Sequence, residues 1–302
     1  MSDLEIHEYV GQAMEPGLYS GVPHEVYHSD PCVHPSLSAS IASRLVTQSP
    51  MHAWTYHPRL GGLRDEDTAA AAAGSLIDNL ILGGGPEIVP IIANDYKTNA
   101  AREARDRALA EGKMPVIESK LVAERAHAEK IKQHLRERKG FEFDGLSQIV
   151  AVWKEGNAWC RARLDHLKLS TATIYDLKFV RSAAPEAIER HMVIYGTDVQ
   201  RAAYVSAVEK TYPELQGRVK FQPIFVENGE VLAITMRPIG GTMKELGERK
   251  WGRGVDIWTK CLAANYWPDY GDDGLIEAPA WALTRDMETQ IAAMGEIITP
   301  PF

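Results

Sequence analysis

The sequence predicts an α/β protein, α+β in layout, on three observations. A helical hydrophobic period prevails up to residue 140, an alternating period takes over after Gly140, and the composition is that of a folded domain, with 45% hydrophobic and 25% charged residues in a chain of 302. That length allows one large domain or two modest ones. The reading preferred here is a single domain over 1–302, with an extended arm (1–35), a helical region (36–140), a core (141–240), and a C-terminal helix and tail (241–302).

Pro16-Gly17, Gly21, Pro23, Pro31 and Pro35 make residues 1–35 an arm that wraps the domain, anchored by Tyr19 and Tyr27. Ser38 or Ser40 is a good N-cap for a short helix carrying Ile41, Leu45 and Val46, which Ser49-Pro50 stops. Thr68 to Leu82 combines strong helix formers with Leu76, Ile77, Leu80 and Ile81 on one side and ends at three glycines. Residues 97–139 read as two helical stretches around Met114-Pro115. They hold twelve Lys or Arg against seven Asp or Glu in a chain of net charge −8. Such a local excess is either a solvated helical face or a rim that meets phosphate.

Ile149–Trp153, Ala158–Leu164 and Thr171–Val180 alternate, and turn signals separate them, which predicts an antiparallel three-stranded meander. A helical segment from about Pro185 to Lys210 follows. Two more strands, Arg218–Val226 and Val231–Met236, flank the turn Glu227-Asn228-Gly229. A long helix spans about Met243 to Asn265, and the tail after Pro268 is acidic and turn-rich.

The overall negative charge argues against binding nucleic acid through bulk charge, so any DNA contact must be local. Cys32, Cys160 and Cys261 are too few and too scattered for a zinc or four-thiolate site, and they fit a reducing cytosolic setting. Neither an export signal nor an apolar run of membrane-spanning length is present, so the expected protein is soluble and intracellular, with no membrane contact.

Chemistry concentrates in the run RARLDHLKLSTATIYDLKFV. Residues two apart on a strand share a face, so Asp176 and Lys178 point together, opposite Tyr175, Leu177 and Phe179. Charges inside so apolar a strand need partners or a metal. Either a plain Asp-Lys ion pair or a hard cation meets that need. Asp165, eleven residues earlier on the neighbouring strand, gives a second carboxylate, and the pair can hold Mg²⁺ (or Mn²⁺) with the Leu177 carbonyl as a further oxygen. A lysine beside such an ion can orient or deprotonate water and offset charge on phosphorus, which is phosphodiester hydrolysis. Gln200 and Tyr204, four apart on the following helix, share a face and can reach the same place. His191, just upstream, reads as structural.

These motifs resemble the PD-(D/E)XK nuclease superfamily, in particular the RecE-type (exonuclease VIII-like) exonucleases and their relatives in the RecB-like nuclease family. The likeness runs over YHSDPCVHPSLSAS, SPMHAW, GSLIDNLIL, CRARLD with IYDLK, and DVQRAAY. It implies a nuclease-like core with a mixed central sheet, an antiparallel meander flanked by helices, and an N-terminal helical elaboration. It implies Asp165 and Asp176 as metal ligands, Lys178 as the catalytic lysine, and Gln200 with Tyr204 as the Q-x-x-x-Y pair. Asp78 stands where such sequences place a histidine, and Gln148 where they place a glutamate. An aspartate remains an oxygen ligand, whereas a neutral amide binds cations more weakly.

The implied activity is Mg²⁺-dependent 5′-to-3′ digestion of linear double-stranded DNA from its ends. The implied assembly is a ring-shaped trimer or tetramer, working with a RecT-like single-strand annealing protein in phage-type recombination, in the cytoplasm of a bacterial host. An alternative is a DNA-end-binding or recombination assembly protein of the same fold whose turnover is impaired at Asp78 and Gln148. A third is an α/β protein whose Asp-Lys pair is merely structural. Lys244, Arg249, Lys250 and Arg253, in a glycine-punctuated stretch, are either phosphate contacts or a solvated helix start.

Overall fold

The computed structural model describes residues 5–63, 69–227, 229, 231–271 and 274–298. In the arm, β1 (Ile6–Glu8) and β2 (Gly17–Ser20) pair in parallel, and a short α1 (His24–His28) follows. Ser38 caps α2 (Ala39–Thr47), its Oγ accepting the Ile41 N–H. The Ser49-Pro50 step that ends α2 also starts α3 (Pro50–Tyr56), because proline suits the first helical turn and Ser49 caps it. Then comes α4 (Ala69–Leu82), which buries Leu76, Ile77 and Ile81; Thr68, its expected start, lies outside the described residues.

The Met114-Pro115 connector is a strand. β3 (Ile88–Ile91) and β4 (Met114–Ile117) form a parallel two-stranded sheet around α5 (Asn99–Ala110), and the latter strand runs into α6 (Glu118–Lys139). Gly140 closes α6 in the left-handed region, φ 61°.

The meander forms as its alternation requires: β5 (Leu146–Glu155), β6 (Ala158–Lys168) and β7 (Thr173–Val180), antiparallel throughout. Two helices replace the single segment expected after it, α7 (Pro185–Ile194) and α8 (Thr197–Thr211). They break at Tyr195-Gly196, where Gly196 has φ +70° and a Cβ would stand 2.7 Å from Ser43 Oγ. β8 (Lys220–Glu227) lies parallel to β7, and β9 (Ile234–Thr235) antiparallel to β8. Asn228, in the expected turn, lies outside the described residues.

The seven-stranded sheet has the order β1-β2-β5-β6-β7-β8-β9, so the arm extends the sheet as well as covering it. Met14, Tyr19 and Val22 bury against Val150, Val152 and Trp159. On one face, α2, α3, α8 and the long α9 (Gly241–Ala264) pack over Ile149, Ala151 and Trp153; on the other, α4 and α6 cover Leu177, Ile224 and Val226. Most of α8 is buried, which makes it the central helix. The fold is therefore a mixed α/β sheet flanked by helices. Close helix contact explains two glycines of α9: a Cβ on Gly247 would lie 2.1 Å from the Asp198 carbonyl oxygen, and one on Gly254 3.1 Å from Ala42 Cβ. Two of its cations are engaged too, Lys250 with Asp198 and Arg253 with the Val46 carbonyl.

The described residues from Tyr270 onward form a second compact unit. Its α10 (Ala280–Ile298) occupies a stretch that the sequence presents as turn-rich tail. No helix among the described residues is long and apolar enough to cross a membrane.

Candidate active site

The meander makes room for the site by failing locally as a sheet. β6 and β7 pair only from His166–Lys168 to Thr173–Tyr175, then splay. The β5–β6 ladder skips the rung of Gln148 and Asp165, where Gln148 takes φ 56°. Leu164 and Leu167, three apart, both enter the same core cluster, so β6 changes facing at Asp165-His166; Ile149 and Leu146 show β5 doing the same. Asp165 is the residue at the turnover. Its Oδ2 accepts the Leu177 N–H at 2.9 Å, which ties the splayed strands together.

Asp176 and Lys178 point together as the strand period requires, with Nζ 2.7 Å from Asp176 Oδ2, while Tyr175, Leu177 and Phe179 pack toward α4 and α6. Gln200 reaches down from α8 and donates to Asp176 Oδ1 at 2.8 Å. Tyr204, one turn on, is buried beside it. Asp78 arrives from α4 and accepts from Gln148 Nε2 at 3.3 Å, leaving Oδ1 buried without a hydrogen bond. Gln148 Oε1 in turn accepts from Arg163 Nε at 2.6 Å. Asp78 and Gln148 are therefore partners of each other.

Burial dominates the electrostatics, with crowded carboxylates adding to it. Burial, reinforced by Asp176 and Asp78, pushes the Asp165 carboxyl well above its ordinary value despite Lys178 and the Leu177 N–H. Burial likewise raises Asp78 to about 6, opposed by Lys178 and helped by Asp176. Burial pulls Lys178 down, but Asp176 and Asp165 outweigh it and hold the ammonium above the usual lysine value. Burial raises the Tyr204 phenol far above its range.

Asp78, Gln148, Arg163, Asp165, Gln200 and Tyr204 line one cavity of about 660 Å³; Asp176 and Lys178 are not among its lining residues and connect to it through Gln200 and Asp165. Among the described residues, no three His, Cys, Asp or Glu side chains form a ready-made metal cluster. The donors nevertheless fit a hard cation that keeps water in its shell: oxygen atoms, carboxylates that repel one another, and an unpartnered Asp78 oxygen.

The RAR of CRARLD belongs to the site as well, and sequence reasoning passed it over. Arg161 and Arg163 alternate with Asp165 on β6 and line the same cavity. Arg161 is fixed by Ser36 and by Asp30 at 3.3 Å, and Asp30 also meets the buried His57 at 3.4 Å. Among the described residues, Arg163 donates to neutral acceptors only, Gln148 and the carbonyls of Val22 and Gly84. The two-residue spacing that singles out Asp176 and Lys178 also marks these arginines.

Comparison with solved structures gives a protein from Eubacterium rectale assigned as an exonuclease, at TM-score 0.57 and 14% identity over 85% of this chain and 95% of that one. A phage-related exonuclease from Haemophilus somnus 129PT aligns at TM-score 0.33 and 10% identity, over 77% and 97%. The first likeness establishes a shared fold. No family model matches the sequence, and no curated protein matches it.

Proposed function

We propose that the protein is a Mg²⁺-dependent exodeoxyribonuclease that hydrolyses linear double-stranded DNA, running 5′ to 3′ in phage-type recombination. The observation that carries this reading is the convergence of Asp165, Asp176 and Lys178 on one splayed hairpin, with Gln200 fixing Asp176. The exonuclease assignment of the Eubacterium rectale protein supports it. Asp165, Asp176 and the Leu177 carbonyl would hold the ion, with Asp78 and Gln148 at its margin; Mn²⁺ would serve as well. When bound, the ion supplies Lewis acidity and a water of lowered pKa. Lys178, kept charged by Asp176 and Asp165, stabilises negative charge on the phosphorus. Gln200 and Tyr204 hold the strand, and Arg163 draws phosphate to the cavity. In this reading the working form is a ring-shaped trimer or tetramer that threads a DNA end and hands the exposed strand to a RecT-like annealing protein, in the cytoplasm of a phage- or prophage-bearing bacterium.

Incubation with end-labelled linear and closed circular duplexes, with and without Mg²⁺, tests the reading. Digestion of the linear form alone, only with Mg²⁺, is expected. A second reading, an end-binding or assembly protein without turnover, is favoured by one observation: both oxygens of the buried Asp176 are already engaged, by Gln200 and Lys178. Retained affinity for DNA ends, with neither digestion nor calorimetric Mg²⁺ or Mn²⁺ binding, would select it.

A further inference from the structure

The break between α7 and α8 places an aromatic ring on the rim of the cavity. Tyr195 lines the cavity and yet is 73% exposed, and it ends a run of exposed apolar residues, Val193 and Ile194. Nothing in the packing of α7 requires this, since Ile188 and Met192 already supply the buried face of the helix. The ring is nevertheless held in place. It lies on the His191 imidazole with centroids 4.4 Å apart and planes 34° from parallel, and His191 meets the buried Phe225 edge-on at 5.7 Å. Burial, with Lys178 nearby, lowers His191, so the imidazole beneath Tyr195 is neutral near pH 7. Behind the ring, Gly196 seats the turn against Ser43 so closely that a Cβ would clash. The wall of the same cavity carries Arg44, Arg161 and Arg163. An exposed, pre-oriented π-face on the rim of a cavity that also carries cationic groups matches a ligand that has both phosphates and flat rings.

We propose that Tyr195, backed by His191, is a stacking platform for an unpaired nucleobase at the end of the strand whose phosphate occupies the cavity. This rests on the nuclease reading and adds a positioning residue to it. A base stacked there would be removed from its partner strand and its sugar-phosphate held against the Asp165 wall. The platform is indifferent to sequence, because every base has a π-face.

The test is fluorescence titration in Ca²⁺ or EDTA with a duplex carrying 2-aminopurine at the terminal nucleotide, alongside the same duplex with an abasic terminal sugar. The wild type should quench the 2-aminopurine and bind the base-bearing duplex more tightly than the abasic one. Tyr195→Ala should lose roughly 5- to 150-fold in affinity for the base-bearing duplex, the range for one stacked base. It should bind the abasic duplex as the wild type does, and Tyr195→Phe should retain both quenching and affinity. Equal affinity of wild type and Tyr195→Ala for the base-bearing duplex, with DNA digestion intact, overturns the platform alone. An equal loss on both duplexes also overturns it, since the contact would then be to the backbone. Failure of the wild type to bind either duplex overturns the platform together with the nuclease reading.

Discussion

Two lysine-aspartate pairs touch α8, and locally they are the same object. Lys178 stands 2.7 Å from Asp176, Lys250 2.6 Å from Asp198; both aspartate side chains are fully buried and both lysines largely so. Their neighbourhoods differ. Asp198 and Lys250 join α8 to α9 where Gly247 lets the backbones meet, next to a second pair, Arg201 and Glu248. Asp176 and Lys178 share their ground with Asp165 and Asp78, whose carboxyls are raised first by burial and then by neighbouring carboxylates, Asp176 above all. A buried ion pair is by itself weak evidence of function. The informative feature is a crowd of carboxyl groups around one of them, beside a cavity, whose proton affinity the fold raises.

The sharpest way to break this contrast is to remove each lysine. Lys178→Ala should lower nuclease turnover by roughly 10²- to 10⁴-fold per folded molecule, the scale of a group acting directly in proton transfer or charge stabilisation. Unchanged rates in that variant would falsify its assigned role. Lys250→Ala should act on stability, costing about 3–5 kcal/mol because Asp198 is left buried and unpaired, with turnover per folded molecule preserved. Denaturant midpoints and active-fraction kinetics on both variants separate the two. Gln200→Ala comes next: losing a hydrogen bond to a buried carboxylate is worth about 1.5–3 kcal/mol, expected as a drop of roughly tenfold or more in kcat beside any rise in KM from its hold on the strand. An effect on KM alone would leave Gln200 its hold on the strand and remove its part in fixing Asp176.

The gentlest probe is pH. Asp78 titrates at about 6 in the folded chain against 3.8 for the free group, so the folded state holds its proton more tightly. The stability linked to that proton is complete below about pH 4 and is lost as pH rises through about 6. In metal-free buffer, Asp78→Asn should therefore be more stable than the wild type near neutral pH, with the gap shrinking as pH falls below 6. Added Mg²⁺ should narrow the neutral-pH gap by stabilising the wild type. A gap equal at all pH values, measured by thermal unfolding, would place the Asp78 charge outside the crowded cluster.

Much of this was legible in the residues, and the limits follow the range of the forces. The meander and the shared facing of Asp176 and Lys178 follow from a period of two, and the Ser38 cap from local hydrogen bonding. What stayed hidden was mostly non-local. β3 and β4 are four residues each and find one another only across α5. The arm becomes strand only because β5 offers it an edge. The break at Gly196 brings the chain against Ser43, from a different helix. At the site, Gln148 looked like a weakened ligand in isolation; its place between Arg163 and Asp78 emerges from three elements meeting.

The skipped rung of Gln148 and Asp165 also bears on how the molecule tolerates change. Both strands turn over there without slipping, so their order of partners is the same on either side. Lengthening the Gly156-Asn157 hairpin would leave that order intact. A single inserted or deleted residue between the hairpin and the rung would reverse which side chains face inward over half of β5 or β6, trading Arg161 and Arg163 for Cys160 and Ala162. Loop grafting is therefore permitted at the tip of this hairpin and forbidden along its arms.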